Sequence, residues 1–140
     1  MQKKVLTEQA LYFGEVKMPQ HWEIDRVYLS NQILYSNLTN NEFLFSPTWD
    51  KLNKYIIEHV NVKHELQIVN KHTWGDIYKP LEKNTNLSAI DPMDLKNSPD
   101  FVLLYGVNVQ DCKIQIFYDD NKRKGKSWII PLKNNHFVMF

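Results

Sequence analysis

Four side chains able to do chemistry stand at alternate positions in one short stretch: His72, Trp74, Asp76 and Tyr78. In an extended chain, every second residue shares a face. An imidazole, an indole N–H, a carboxylate and a phenol would therefore line one surface. A histidine with a carboxylate is two-thirds of the 2-His-1-carboxylate set that holds Fe(II) with open positions for substrates. Extended geometry opposes direct use, because His72 and Asp76 would lie about 13 Å apart and metal bonds are roughly 2 Å long. Unless Gly75 supplies a sharp bend, the residues predict a hydrogen-bonded His72 and a solvated Asp76.

The remaining reactive types are more scattered. His59 suits the negative end of a helix dipole, while His64 and Glu65 would alternate across a strand; both histidines are expected at the surface. Asp91, Asp94 and Asp100 fall in a proline-containing loop. They lack the glycine and terminal glutamate of a calcium loop, and Asp91-Pro92 and Ser98-Pro99 read as turn starts. Asp119-Asp120 beside Lys122-Arg123-Lys124 reads as a solvated hairpin tip, with phosphate binding the lesser reading. There is no glycine-rich phosphate loop and no nucleophile elbow. The lone Cys112 rules out an internal disulfide and a cysteine-rich zinc site, and its position beside Asp111 does not favour a thiolate.

The elements that must position these groups read as helices first and strands later. Ala10–Phe13 is apolar enough for a short strand ending near Gly14. Pro19 suits a first helical turn, and Ile24, Val27, Asn31 and Leu34 follow at helical spacing, predicting an amphipathic helix over 20–35. Phe43–Phe45 predicts an irregular segment or short strand. Ser46 as N-cap, Pro47 at the first position and Asp50 in the first turn open a second helix. Trp49, Leu52, Ile56 and Val60 mark its buried face over 47–60, with Trp49 a core anchor. From Leu66 to Tyr78 the period changes to two, predicting a strand. Residues 80–99 form a polar connection, and Phe101–Val109 predicts a strand buried on both faces. Ile114, Ile116 and Tyr118 lie on the next strand, Trp128–Ile130 returns, and Phe137–Phe140 begins another.

Composition sets the outer bounds. The chain has 140 residues, 43% hydrophobic and 24% charged, with a net charge of +1. That is one domain's worth of soluble chain, read here as a helix-rich part over 1–61 and a β-rich part over 62–140. The near-balance of charge argues against dedicated nucleic-acid binding. No apolar run reaches the ~20 residues of a membrane span, and the start is too polar for a signal peptide. With the single cysteine, these predict a reducing, cytoplasmic setting. Asn and Lys are over-represented, which reads as an A- and T-rich genome, such as that of a marine bacterium or phage. The glycosylation patterns at Asn37 and Asn86 read as chance matches in an Asn-rich chain.

From Thr73 onward the chain resembles the 2-oxoglutarate- and Fe(II)-dependent oxygenase family, in particular its small prolyl-hydroxylase-like members of marine phages. The likeness runs through Trp74-Gly75-Asp76-Ile77-Tyr78, Val102–Val107, Ile114–Asp120, Ile130-Pro131-Leu132 and Phe137–Phe140. It implies an α+β fold, with N-terminal helices packed on an antiparallel jelly roll, or double-stranded β-helix. It also implies a pocket for which His72, Trp74, Asp76, Tyr78, Tyr105 and Tyr118 are the lining candidates. In that family the first two iron ligands lie in the loop after the Trp-x-x-x-Tyr strand. Here Pro80–Pro99 has no histidine, and Asp91 is the only residue matching a ligand. The family's distal histidine and cosubstrate-binding cation follow a segment like Phe137–Phe140, where this chain stops.

Three functional expectations follow. The leading one is a non-catalytic jelly-roll module, or an enzyme fragment, with an incomplete metal site. The second is an active Fe(II)/2-oxoglutarate hydroxylase when full length. The third is a phage virion or assembly protein that dimerises through an edge strand at 137–140.

Overall fold

The computed structural model describes residues 1–4, 10–39, 43–78, 100–119 and 122–140. Their elements are β1 (Tyr12–Glu15), α1 (Arg26–Leu38), α2 (Pro47–His64), β2 (Leu103–Tyr105), β3 (Cys112–Tyr118), β4 (Lys126–Leu132) and β5 (His136–Met139). Two helices and antiparallel strands make this an α+β chain.

Helix α2 forms where its caps demand. The Ser46 hydroxyl accepts from the Trp49 N–H at 3.2 Å, satisfying a donor that the helix leaves orphaned. Asp50 lies in the first turn and Lys63 and His64 in the last, each complementing the dipole. Trp49, Leu52, Ile56 and Val60 are all buried, as their spacing predicts. The helix runs past residue 60 to His64 and stops where Glu65 turns left-handed (φ 54°).

Helix α1 departs from expectation in both start and phase. It begins at Arg26, because the Asp25 carboxylate caps it by accepting from the Tyr28 N–H at 3.0 Å. Pro19 belongs to a separate turn, its carbonyl accepting from the Trp22 N–H. The buried face is Leu29, Ile33 and Ser36, not the Val27 and Leu34 stripe, which is 66% and 45% exposed. Ser36 tolerates burial because its hydroxyl donates to the Ile33 carbonyl at 2.8 Å.

Among the described residues, β5 is the central strand of a three-stranded sheet ordered β1-β5-β2, antiparallel on both sides. Its pleat sends Phe137 and Met139 toward the helices, into a core with Leu29, Trp49, Leu52, Ile56 and Val60. Val138 faces the other way, against Ile130 and Leu132 of β4. Helices thus cover one face, and the β3–β4 hairpin, a separate two-stranded sheet, packs on the other. Since β1 and β2 pair with both sides of β5, the 137–140 segment is not the free edge strand expected for dimer pairing.

Two further expectations change. The strand over 101–109 shortens to β2, although Val102 and Phe140 exchange both backbone hydrogen bonds (2.8 and 3.0 Å) just beyond it. Residues 66–78 are not a strand. They run along the helices, held mostly by side chains. At the hairpin, Gly125 adopts φ 72° and its N–H donates to the Asp119 carboxylate at 2.8 Å, so the acidic residue closes the turn. Among the described residues no helix is long and apolar enough to cross a membrane.

Candidate functional site

The segment carrying His72, Trp74, Asp76 and Tyr78 is pinned by three asparagines. Asn61 bonds Ile68 in both directions (3.0 and 2.9 Å), and Asn53 donates to the Thr73 hydroxyl at 2.8 Å. Asn37 donates to the Gly75 carbonyl at 2.8 Å, and the Leu44 N–H donates to the Thr73 carbonyl at 2.8 Å. Leu66 and Ile68 turn inward, but residues 69–72 are exposed and the alternation slips by one. Thr73 and Gly75 then face the protein, and His72, Trp74, Asp76 and Tyr78 are all exposed. A one-residue slip moves a whole alternating set to the opposite face.

These candidates do not gather into one pocket. The His72 ring stacks on Phe43 (centroids 4.4 Å apart, planes at 16°). The Tyr78 hydroxyl lies 3.5 Å from the Asp76 carboxylate. Tyr118 is exposed at the end of β3, opposite Lys126. Asp91 lies outside the described residues, as do Asp94 and Asp120.

Tyr105 is committed to holding strands together. Its hydroxyl donates to the Asn135 amide oxygen at 2.5 Å. The Asn135 amide donates onward to the Val16 carbonyl at 2.6 Å. The Arg26 guanidinium donates to the Val107 carbonyl beside this cluster. Burial pushes the Tyr105 phenol up to about 12, against the opposing pull of Arg26. It is therefore neutral at any physiological pH.

His59 and His64 are not the surface residues expected. Both ring Nε2 atoms are sealed from solvent and have no hydrogen-bond partner. Both rings pack edge-on against Phe137 (centroids 6.4 and 6.1 Å away), and His64 also packs against Tyr12 at 4.9 Å. Burial, then the charges of Lys63, His64 and Lys17, lowers the pKa of His59. The Cys112 thiol is pushed up by burial, in line with its unreactive sequence setting.

The family resemblance implies iron, and the described residues do not fit it. No three His, Cys, Asp or Glu side chains among them come together in a way that could hold a metal ion. His72 and Asp76 sit on the surface of the helical layer, and His59 and His64 lie between helix and sheet.

What sequence reasoning missed is a groove of about 640 Å³ between α1, the 43–45 segment and the start of α2. Tyr28, Gln32, Tyr35, Phe43, Phe45 and Trp49 form much of its wall, and among the described residues no Asp, Glu, Lys, Arg or His lines it. Gln32 donates its amide N–H to the Tyr28 hydroxyl at 2.7 Å. Its Oε1 and the Trp49 Nε1 are sealed and have no partner. The available signal was Tyr28, Gln32 and Tyr35 at helical spacing beside the Leu29–Ile33 pair. The expected stripe of Val27, Asn31 and Leu34 lies two positions from the buried Leu29, Ile33 and Ser36, which hides this face. Comparison with family models, curated proteins and solved structures returned no match.

Proposed function

We propose that this chain is a binding module, an oxygenase-related jelly roll that has kept the α+β scaffold while its described residues no longer assemble an iron site. The observation that carries the reading is the aromatic groove of the helical layer, where hydrogen-bonding atoms remain uncommitted. The antiparallel hairpin stacked on the three-stranded sheet supports the jelly-roll ancestry. The lack of any histidine in the 80–99 sequence, where the resemblance places two iron ligands, supports a role without metal chemistry, since a facial triad needs its donors converged on one ion. The test is anaerobic titration with Fe(II) and 2-oxoglutarate, followed by exposure to oxygen. The expected result is no saturable iron–cosubstrate complex and no cosubstrate turnover. Stoichiometric binding with turnover would overturn the proposal and favour the hydroxylase.

A further inference from the structure

We propose that the groove between α1 and the Phe43–Phe45 segment binds an uncharged, flat heterocycle of nucleobase or nucleoside size, one that presents a hydrogen-bond acceptor beside a donor. The inference rests on the binding-module reading and names the ligand class. A volume of about 640 Å³ falls in the ordinary range for small-molecule sites. The rings of Tyr28, Tyr35, Phe43 and Phe45 offer π-faces on which a planar ligand can stack. Among the described lining residues a charged ligand meets no counter-charge to offset the hydration it gives up.

The polar groups narrow the class further. Trp49 is only 4% exposed, its indole N–H can only donate, and no acceptor meets it. Gln32 presents the opposite need, a carbonyl oxygen without a donor. Flipping its amide does not remove the deficit. The Tyr28 hydroxyl would bond whichever end faces it, and the other end, then an NH2 seeking an acceptor, would still lack a partner; the ligand donor follows from the orientation in which Gln32 donates to Tyr28. A ligand supplying an acceptor to Trp49 and a donor to Gln32 satisfies both. Each atom lies beneath the surface, so the ligand reaches them only as neighbouring side chains rearrange. The Trp49 indole N–H therefore separates true entry from superficial ring stacking.

The test is titration of the full chain with uridine and adenosine, followed through indole N–H resonances, with Trp49→Phe identifying the relevant peak. At least one nucleoside is expected to shift that peak saturably. Its analogue with the base donor methylated (N3-methyluridine, or N6,N6-dimethyladenosine) is expected to bind about tenfold more weakly or worse. Gln32→Leu is expected to abolish that preference while its thermal melt shows a folded chain. The 5′-monophosphate is expected to bind no tighter than the nucleoside. No Trp49 shift up to about 10 mM, equal binding of the methylated analogue, or retained preference in Gln32→Leu would each overturn the proposal. The iron titration does not involve the groove, so failure here is distinguishable from failure of the binding-module reading.

Discussion

Replacing Gly75 with alanine tests how the 66–78 segment seats on α1. A Cβ at this position would lie 2.6 Å from Ile33 Cγ1, 3.0 Å from Cγ2 and 3.1 Å from Cδ1, where carbon atoms settle at about 3.5–4.0 Å. Ile33 is buried and helical, and a β-branched side chain in a helix has essentially one rotamer. Rotation cannot clear all three atoms, so the segment must lift. Such overpacking costs about 1–3 kcal/mol. Weakening the Asn37–Gly75 hydrogen bond adds about 1 kcal/mol. Reduced entropy of the unfolded chain offsets about 0.4–1 kcal/mol. The net expectation is a loss of about 2 kcal/mol, read in urea as a lower midpoint with an unchanged slope. Ile33→Ala alone removes a buried side chain and costs about 2–5 kcal/mol. In that background Gly75→Ala should be close to neutral, giving a coupling of at least about 1 kcal/mol. A neutral Gly75→Ala, or strict additivity in the double variant, would refute the close approach of segment and helix.

Three further substitutions probe the sheet junction, the α2 cap and the buried imidazole. Tyr105→Phe leaves the Asn135 amide oxygen without its phenol donor and should lower stability by about 1–3 kcal/mol, measured by urea melts. Ser46→Ala should cost about 1 kcal/mol through loss of the α2 cap, visible as a lower melting temperature by circular dichroism. The lowered pKa of His59 means that, below its ordinary value of 6.5, the unfolded chain binds a proton the native chain resists. Its contribution is present above that pH and lost as pH falls, with a slope of at most about 1.4 kcal/mol per pH unit. His59→Gln should flatten the pH-dependence of the urea midpoint in this window, and an unchanged profile would contradict the assignment.

Legibility in the sequence followed how local the deciding physics was. Helix α2 could be read because its cap, proline, dipole charges and apolar stripe agree within a few residues of one another. The β3–β4 hairpin could be read because alternation and turn residues are adjacent. The phase of α1 could not, since choosing Leu29 and Ile33 over Val27 and Leu34 depends on what covers the helix from residues far along the chain. The 66–78 segment misled for a related reason. Its alternation is real as far as Ile68, but no strand among the described residues pairs with it to hold the register through the exposed residues 69–72. The central place of β5 was equally hidden, because pairing partners at Tyr12–Glu15 and Leu103–Tyr105 are set by topology and not by the strand's own residues.

Where hydrogen-bonding capacity is already committed also decides where a site can form. On the sheet side, the turn at Asn135 takes a left-handed backbone (φ 63°) that asparagine tolerates better than most residues. From there its amide reaches Val16 beyond β1 and accepts from Tyr105 of β2, while its backbone pairs with Gly106 and Val16. One residue therefore ties together the ends of all three strands. A chain that used Tyr105 to orient a ligand would have to break this junction, leaving buried polar atoms unpaired at a cost comparable to a large share of its stability. The groove on the helical side carries no such obligation. Its Trp49 indole and Gln32 carbonyl hold nothing in place, so a ligand can bond them without dismantling the fold. The same asymmetry separates a structural phenol from a binding indole, although both are aromatic residues with one polar atom at the edge of a buried ring.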